Sequence, residues 1–402
     1  MKILMVNKFL AENGGSERYM IDLGQALCAM GHTVEYFGMD QPDKAAGNSF
    51  GIYTKNVDYH TDSRKEKIAA AFSTIYSSEA KKKMLAILER FEPDAVHLNN
   101  FNYQLTPSVI EAVSSWRKAN HRKCRLVYTA HDYQLLCPNH MMLKNHTCCD
   151  ACVRGSYFNC ISGKCIHNSA MRSALGAAEA FYWHHKKTYQ EIDTIICCSD
   201  FMKTMFERNE KLSRNAIALH NFTDRIVPAD LPKKQQVLYF GRFSEEKGMK
   251  TLLSVCKACP DVHFVFAGTG PMEEEINQLP NAENRGFLGK DALFTLIGES
   301  AFSVYPSEWY ENCPYSVMES IQLGTPVIAS RIGGIPELIE DGVSGLLFES
   351  GDAGELCECV NRLIQDREYL CRLQENCRKV SFPSAEEYIK DLLQIYRGTY
   401  HG

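Results

Sequence analysis

Residues 237–248 read VLYFGRFSEEKG, and this stretch indicates the fold most clearly. The run Val237–Phe240 is short and apolar, which is typical of a buried strand of a parallel sheet. Gly241 and Arg242 end the strand, and after a short loop Lys247 opens a helical pattern. A strand, a turn and a helix in this order form the repeating unit of a parallel sheet wrapped by helices.

The same alternation of short apolar runs and longer amphipathic stretches continues in both directions from this segment. The strands predicted in the first half are Ile3–Val6, Thr33–Phe37, Ala95–Leu98, Leu126–Thr129 and Thr194–Cys197. Those predicted in the second half are Val237–Phe240, His263–Ala267, Phe302–Tyr305, Pro326–Ala329 and Gly345–Phe348. The sequence therefore predicts an α/β chain with two parallel sheets.

The sequence predicts that the two halves meet near residues 221–236, a stretch with two prolines and little periodicity. A length of 402 residues also favours two domains. We predict an N-terminal domain over 1–221 and a C-terminal domain over 222–383. Residues 384–402 hold an amphipathic helix that would be able to pack back on the N-terminal domain.

The composition is that of an ordinary globular protein and excludes some functions. Hydrophobic residues make up 45% and charged residues 23%, and the formal net charge is −5. A dedicated nucleic-acid binder usually carries a basic excess, so no nucleic-acid partner is expected. No run of about 18 apolar residues is present, and the first apolar run is too short for a signal peptide. We therefore expect a cytoplasmic chain.

Arg242 and Lys247 predict an anion site at the end of the strand that precedes them. In open α/β folds, ligands bind outside the carboxyl ends of the strands. Two cations beside a helix N-terminus suit a diphosphate. The alternative is a surface turn with two solvated cations.

A second motif is the pair Glu311 and Glu319. Pro314 fits the first turn of a helix, so Glu311 would lie in the preceding loop and Glu319 within the helix. Glu319 is embedded among apolar residues, where a carboxylate is costly without partners. Two glutamates at this spacing occur often by chance, but the sequence around this pair makes it informative.

That context resembles glycosyltransferase family 4, a family of retaining enzymes with the GT-B fold. The resemblance is nearly continuous over 304–348, from Val304-Tyr305-Pro306 through Gly324-Thr325-Pro326 and Gly333-Gly334 to Phe348. Further matches lie at 241–248, 268–271, 14–17 and His131-Asp132. It implies two Rossmann-like domains with a deep interdomain cleft.

The resemblance also implies roles for single residues. Arg242 and Lys247 would bind the donor diphosphate, Glu319 the ribose hydroxyls and Glu311 the donor sugar, while His131 would face the transferred sugar. The catalytic residues would be His131, Arg242, Lys247 and Glu311. The donor-binding residues would be Gly14, Gly15, Gly268, Gly270, Leu288, Asn312, Cys313 and Glu319.

The implied reaction moves a sugar from a nucleotide-sugar to a glycan or lipid-linked acceptor with retention of anomeric configuration. The fixed cations would stabilise the leaving nucleotide electrostatically. We expect assembly of a cell-surface polysaccharide, a UDP-sugar in preference to a GDP-sugar, and no catalytic cofactor, since the sequence has no Asp-X-Asp. The alternatives are a nucleotide-sugar 2-epimerase of the same architecture and a non-catalytic sugar-nucleotide-binding protein.

Six of the 17 cysteines fall in a loop over 137–167, after His131-Asp132. Cys149 and Cys152 have the two-residue gap of zinc knuckles, and Cys160 and Cys165 would complete four ligands of a structural zinc site. Cys137, Cys148 and His167 compete for these places. Free or redox-active cysteines and an iron–sulfur cluster are the alternatives.

Basic amphipathic stretches at Arg64–Phe72 and Lys81–Leu85 suggest a peripheral contact with the inner face of the plasma membrane. A plain solvated helix face is the alternative for both.

Overall fold

The computed structural model describes residues 1–12, 14–56, 73–223 and 231–400. It divides into two compact units. The N-terminal unit comprises Met1–Asn145, Cys149–Asn221 and Ala385–Gly402, and the C-terminal unit comprises His146–Cys148 and Phe222–Ser384. The predicted basic stretch Arg64–Phe72 lies outside the described residues.

The N-terminal unit contains a six-stranded parallel sheet in the order β2-β1-β3-β4-β7-β8. Its central strands are buried along nearly their whole length, because helices cover both faces of such a sheet. The strands are β1 (Lys2–Val6), β2 (Thr33–Phe37), β3 (Ala95–Leu98), β4 (Arg125–Ala130), β7 (Thr194–Cys197) and β8 (Ala216–Ala218), and the two-residue strands β5 (Leu143–Lys144) and β6 (Thr147–Cys148) lie within the cysteine-rich loop.

Three helices of the N-terminal unit begin at serine caps. Side chains of Ser77, Ser169 and Ser199 accept hydrogen bonds from the first turns of these helices, which satisfies N–H groups that lack partners in the helix. The helices are α1 (Gly15–Ala29), α2 (Ser78–Phe91), α3 (Ser108–Asn120), α4 (Phe158–Ser162), α5 (Ala170–His185), α6 (Asp200–Glu207) and α13 (Ala385–Arg397).

The C-terminal unit contains a second six-stranded parallel sheet, in the order β11-β10-β9-β12-β13-β14. Numbered within the unit, this is the 3-2-1-4-5-6 order of a Rossmann sheet. The strands are β9 (Lys234–Phe240), β10 (Phe264–Ala267), β11 (Ala282–Asn284), β12 (Ser300–Tyr305), β13 (Val327–Ser330) and β14 (Gly345–Phe348). The helices are α7 (Met249–Ala258), α8 (Glu273–Asn277), α9 (Lys290–Glu299), α10 (Tyr315–Gln322), α11 (Ala353–Gln365) and α12 (Arg367–Cys377).

Helix α13 returns to the first sheet after the chain has completed the second. Its buried residues are spaced as one face of a helix, and it packs on α1 and β4. The Tyr388 hydroxyl lies 2.6 Å from the Tyr19 hydroxyl, and the Tyr396 hydroxyl lies 2.6 Å from His97 Nδ1. The helix is therefore an integral part of the N-terminal unit.

Within the described ranges, no helix combines the length and the hydropathy needed to cross a bilayer.

Candidate functional site

The order of the second sheet reverses between β9 and β12, which are neighbours although two strands separate them in the chain. Loops that leave such a switch point diverge and open a crevice at the carboxyl ends of the strands. The loop after β9 contains Arg242 and Lys247, and the loop after β12 contains Glu311. The two loops predicted to bind the donor thus leave the sheet at its switch point.

Glu311 is the centre of a hydrogen-bond network at this point. Its Oε1 atom accepts four bonds, from Lys247 Nζ at 2.6 Å, Trp309 Nε1 at 2.6 Å, Ser307 Oγ at 2.8 Å and the Tyr305 hydroxyl at 2.9 Å. The carboxylate side chain is only 7% exposed, so protein donors replace water around its charge. Burial keeps the pKa of Tyr305 well above its usual value, so this phenol donates as a neutral group.

The Lys247 ammonium is held on more than one side. Besides Glu311, it lies 3.4 Å from the Tyr305 hydroxyl and 5.0 Å from the centre of the Trp309 ring. Lys247 ends a short 3₁₀ turn, Glu245–Lys247, and α7 begins only at Met249. The cation therefore precedes the helix rather than opening it, and it stands at the helix N-terminus in a fixed position. The Arg242 side chain is exposed, and its backbone carbonyl accepts a hydrogen bond from the Tyr239 hydroxyl.

Glycines let the loops of this site approach one another. Gly248 has φ +74°, and a Cβ atom there would lie 1.7 Å from the carbonyl oxygen of Pro306. Gly268 has φ +148°, and its Cβ would lie 1.9 Å from the carbonyl oxygen of Gly241, while a Cβ on Gly270 would meet the Phe243 backbone. Only glycine allows backbone to pass backbone at these distances.

The other predicted donor residues of the C-terminal unit lie at α10 and in the segment after β11. Pro314 is the N-cap of this helix, one residue before the predicted first turn, and Asn312 and Cys313 are buried in the loop before it. Glu319 lies on the helix and is 4% exposed. Leu288 packs on a small apolar cluster that includes Leu238 and Phe240 of β9.

The first sheet also has a switch point, between β1 and β3, and polar residues join the loops that follow these strands. Asn7 Nδ2 donates to the buried carboxylate of Glu17, and Asn7 Oδ1 accepts from the backbone N–H of Asn100. Gly14 caps α1, and Gly15 is its first residue. The extended φ of Gly14, −178°, is open to any residue, so the conformation alone does not require glycine there.

His131 directly follows β4 at the same edge of the first sheet. Its Nε2 donates to Asn99 Oδ1 at 2.9 Å, which leaves Nδ1 as an acceptor, and its ring packs edge-on against Tyr19 at 4.9 Å. Burial lowers the pKa of His131 to about 3, so the imidazole is neutral at physiological pH. The neighbouring Asp132 is half-buried, and partial loss of solvation raises its pKa to about 6.

Several residues of these networks were not among the predicted site residues. Tyr305, Ser307 and Trp309 supply three of the four donors to Glu311, and Asn99 and Tyr19 position His131. Asn99 and Ser307 could have been predicted from the sequence, since each is a polar residue just after a buried strand. Tyr19 could not, because His131, the residue that it contacts, lies 112 positions away in the sequence.

The thiols of the cysteine-rich loop form two pairs. Cys137 and Cys152 are neighbours, as are Cys160 and Cys165. The Cys137 thiol donates to Asn139 Oδ1 and the Cys152 thiol to the Ser156 carbonyl. The neighbouring Cys152 thiol and burial raise the pKa of Cys137, and burial raises that of Cys160 to about 12. The structure thus places Cys152 beside Cys137. The zinc-knuckle spacing had predicted Cys149 as the ligand next to Cys152 and Cys137 only as an alternative. In the described part of the chain, no three of these sulfurs lie within 4.8 Å of one another.

Family models match both halves of the chain. The model for "Glycosyl transferases group 1" matches residues 223–380. The model for "Glycosyltransferase Family 4" matches residues 13–225, more than half of the 402 residues. The chain belongs to glycosyltransferase family 4. The predicted family, the predicted enzyme class and the GT-B type of fold are thereby confirmed.

Curated relatives of this family 4 member match parts of it. Sulfoquinovosyl transferase SQD2 of Arabidopsis thaliana is 34% identical over 150 residues, which is 34% of this chain and 28% of the relative. An uncharacterized glycosyltransferase of Methanocaldococcus jannaschii is 29% identical over 211 residues, 51% of this chain and 59% of the relative. The chain thus spans less than two thirds of the length of these relatives. A 42.6 kDa protein in the cps region of Klebsiella pneumoniae is 24% identical and matches 84% of this chain and 87% of its own.

Solved structures of similar fold cover nearly the whole of this family 4 chain. Anabaena Alr3699/HepE in complex with UDP covers 99% of this chain and all of its own, with a TM-score of 0.67 and 18% identity. The sucrose-phosphate synthase of Thermosynechococcus elongatus has a TM-score of 0.71 and 18% identity, with 99% and 98% of the two chains covered. At this identity the likeness establishes the fold.

Proposed function

We propose that this family 4 member is a retaining glycosyltransferase that moves a sugar from a nucleotide-sugar to a glycan or lipid-linked acceptor. The observation that carries the proposal is the Glu311 carboxylate, which four donors hold at the switch point of the second sheet. A buried, fully oriented carboxylate beside a fixed ammonium suits a ligand with both hydroxyl groups and negative charge.

The proposal gives the residues of the C-terminal unit the roles predicted from the sequence. Lys247 and Arg242 bind the diphosphate and stabilise the leaving nucleotide. Glu311 binds hydroxyls of the donor sugar, and Glu319 binds the ribose. The amides of Asn312 and Cys313 and the loop of Gly268 and Gly270 line the donor, with Leu288 near the base.

In the N-terminal unit, Gly14 and Gly15 allow close backbone approach to the donor, and His131 contacts the transferred sugar. The low pKa of His131 supports a hydrogen-bonding role for a neutral imidazole rather than a charged one. A neutral ring orients a hydroxyl without adding to the charge of the site. The transfer itself needs no metal in this proposal.

A UDP-sugar is the preferred donor, and cell-surface polysaccharide assembly is the proposed setting. Alr3699/HepE, which shares the fold, was crystallised with UDP and with UDP-glucose. Two relatives that match most of the chain are proteins of the cps region of Klebsiella pneumoniae. Both facts concern those proteins and support the choice of donor and setting here.

Thermal shifts with UDP, GDP and ADP test the donor site first. A ligand that binds only the folded state raises its apparent stability, by about 2.7 kcal/mol at 100 times Kd. We expect UDP to stabilise the native chain and the control Glu375→Ala, whose side chain is exposed on α12. Glu319→Ala should lose the response. No shift with any nucleotide would contradict the proposal.

Turnover then separates transfer from the alternatives. Incubation with UDP-sugars and candidate acceptors should give a glycoside with the anomeric configuration of the donor, measured by proton NMR. A UDP-sugar converted without any acceptor would indicate an epimerase, and nucleotide binding without turnover would indicate a non-catalytic binder.

We also propose that the cysteine-rich loop holds one structural zinc ion. Thiols are the ligands that zinc prefers, and the two pairs supply the four that a closed site needs. The ligands would be Cys152, Cys160 and Cys165 with Cys137 or Cys149, and the ion would have to draw the pairs together. Metal analysis of the purified chain should find about one zinc per chain, retained in the control Cys371→Ser and lost in Cys152→Ser. Two disulfides and no metal would contradict this.

A further inference from the structure

Helix α5 carries apolar side chains on both its buried and its outer face. Its buried face includes Ala177, Ala180 and Trp183. On the opposite face, apolar residues recur at spacings of four, three and four, which places them in one line along the helix. We call this line the α5 stripe; it consists of Met171, Leu175, Ala178 and Tyr182, flanked by Ala174 and Phe181.

A surface helix normally carries polar residues on its outer face, so an apolar outer face indicates a surface that something covers. Met171 is 83% exposed and Phe181 is 64% exposed. Six large apolar side chains are exposed in the part of the chain that the structure describes, and four of them lie between 158 and 182. These four are Phe158, Met171, Phe181 and Tyr182.

The segment that carries the stripe has a net charge opposite in sign to that of the whole chain, although one of its cations, Lys186, is paired with Glu111. Residues 141–190 contain six Lys and Arg and two Asp and Glu, a formal net charge of +4, whereas the whole chain carries −5. One of the two acids, Glu179, is buried on the inner face of α5, and burial raises its pKa to about 8. The cations are Lys144, Arg154, Lys164, Arg172, Lys186 and Lys187.

A surface cavity lies at the carboxyl end of the stripe, with a volume of about 720 Å³. Phe181 and His185 of α5 line one part of it. Three cations, Arg154, Arg208 and Lys211, line it too, and two acids, Glu207 and Glu210, lie among them. Arg208 is paired with Asp150. Arg154 and Lys211 thus lie in the lining together with the exposed ring of Phe181.

We propose that the α5 stripe docks on an anionic phospholipid bilayer, with the stripe in the interface and the cavity facing phosphate headgroups. An exposed apolar line rimmed by cations is the arrangement of helices that lie in the plane of a membrane surface. A second copy of the chain fits this surface less well, because two copies would bring together two segments that each carry a formal net charge of +4 over residues 141–190. The proposal does not depend on the sugar transfer.

This surface differs from the one suggested by the sequence pattern at Lys81–Leu85. Those residues begin α2, whose apolar residues Met84, Ile87 and Leu88 are buried. Lys81 is paired with Glu111 at 3.0 Å. The described helix α2 therefore has its apolar face in the core, while α5 has an apolar face outside it.

Vesicle co-sedimentation of the full chain tests the stripe. The variant Met171→Ser with Phe181→Ser removes two exposed side chains, and Met30→Ser with Phe287→Ser is a matched control that also removes one methionine and one phenylalanine. We expect the native chain and the control to bind vesicles that contain phosphatidylglycerol. The stripe variant should bind at least roughly tenfold more weakly, because burial of these side chains is lost.

The charge dependence is measured in the same assay. Vesicles of phosphatidylcholine alone should bind far less, and Arg154→Ala or Lys211→Ala should each weaken binding roughly fivefold at low salt. Raising the salt should release the chain. Equal binding to both vesicle types, or equal losses in stripe variant and control, would overturn the proposal. A dimer in light scattering that the stripe variant abolishes would also overturn it, in favour of self-association.

Discussion

At the scale of single residues, Glu311 shows how a buried charge is made specific. Two hydroxyl groups, an indole N–H and an ammonium group all donate to one oxygen of this carboxylate. Removing the charge while keeping the shape leaves those donors with a weaker acceptor.

We expect Glu311→Gln to lower kcat/KM for sugar transfer by about tenfold to a hundredfold, since a hydrogen bond to a charged group is worth roughly 1.5–3 kcal/mol. Steady-state kinetics measure this, with Glu349→Gln as the control because that side chain is 68% exposed. An unchanged kcat/KM in the Glu311 variant would show that the carboxylate charge has no part in the reaction.

Glu179 predicts a pH dependence of stability. Burial raises its pKa to about 8 from an ordinary value of 4.5, so the folded chain holds this proton more tightly than the unfolded chain. The stabilisation is complete below pH 4.5 and is lost as pH rises through 8. Glu179→Gln, which mimics the protonated form, should therefore gain stability relative to the native chain between pH 6 and pH 9.

The comparison is made by thermal melts at both pH values, with Glu375→Gln as the exposed control. Only the difference in stability between native chain and variant isolates the effect of Glu179. Histidines with lowered pKa values, such as His97 and His131, also make the stability of both proteins depend on pH, on the acid side. A constant difference across this range would mean that Glu179 is ionised in the folded chain.

Sequence reasoning singled out residues by their place after a strand or within a helix. Arg242, Lys247, Glu311 and Glu319 were chosen in this way; the structure places the first three in the loops that leave the switch point and Glu319 in α10. Their roles stay predictions. The same reasoning missed Tyr305, because an aromatic residue at the end of a buried strand is ordinarily part of the core. Hydrogen bonds between distant segments leave no local pattern.

At the scale of elements, the loop after β9 depends on one backbone crossing. Gly248 has a positive φ, and its Cβ would collide with the Pro306 carbonyl at 1.7 Å. Gly351 also has a positive φ, +83°, but a Cβ there would meet no atom closer than 4.0 Å.

Gly248→Ala should therefore destabilise the C-terminal unit clearly more than Gly351→Ala, which bears only the conformational cost of roughly 1 kcal/mol. Chemical denaturation of both variants measures the two free energies of unfolding. Equal losses would mean that the loop relaxes around the added methyl group.

The ten strands predicted from the sequence are all present, with ends displaced by at most three residues. The strands of a parallel sheet are nearly continuous apolar runs, and such runs are easily recognised in a sequence. The short strands β8 and β11 were not predicted, because three-residue edge strands carry too few apolar residues to form a pattern.

At the scale of the whole molecule, the division into two units predicts where ligand protection appears. If UDP binds as proposed, hydrogen exchange should slow most in the loops over 241–248 and 305–319 of the C-terminal unit. Peptides from α11 and α12 serve as an internal reference, since none of the proposed donor residues lies there. Protection confined to other regions would place the nucleotide elsewhere.

The course of α13 has a consequence for biosynthesis. The helix is encoded after the entire second sheet, yet Tyr388 and Tyr396 complete the core around Tyr19 and His97. During translation, domains generally fold as units and in order from the N-terminus. Here the first unit remains without its last helix until the ribosome has made the second one. The segment that begins the chain is thus among the last to be finished, and a nascent chain arrested before residue 385 exposes an unfilled groove to chaperones and proteases.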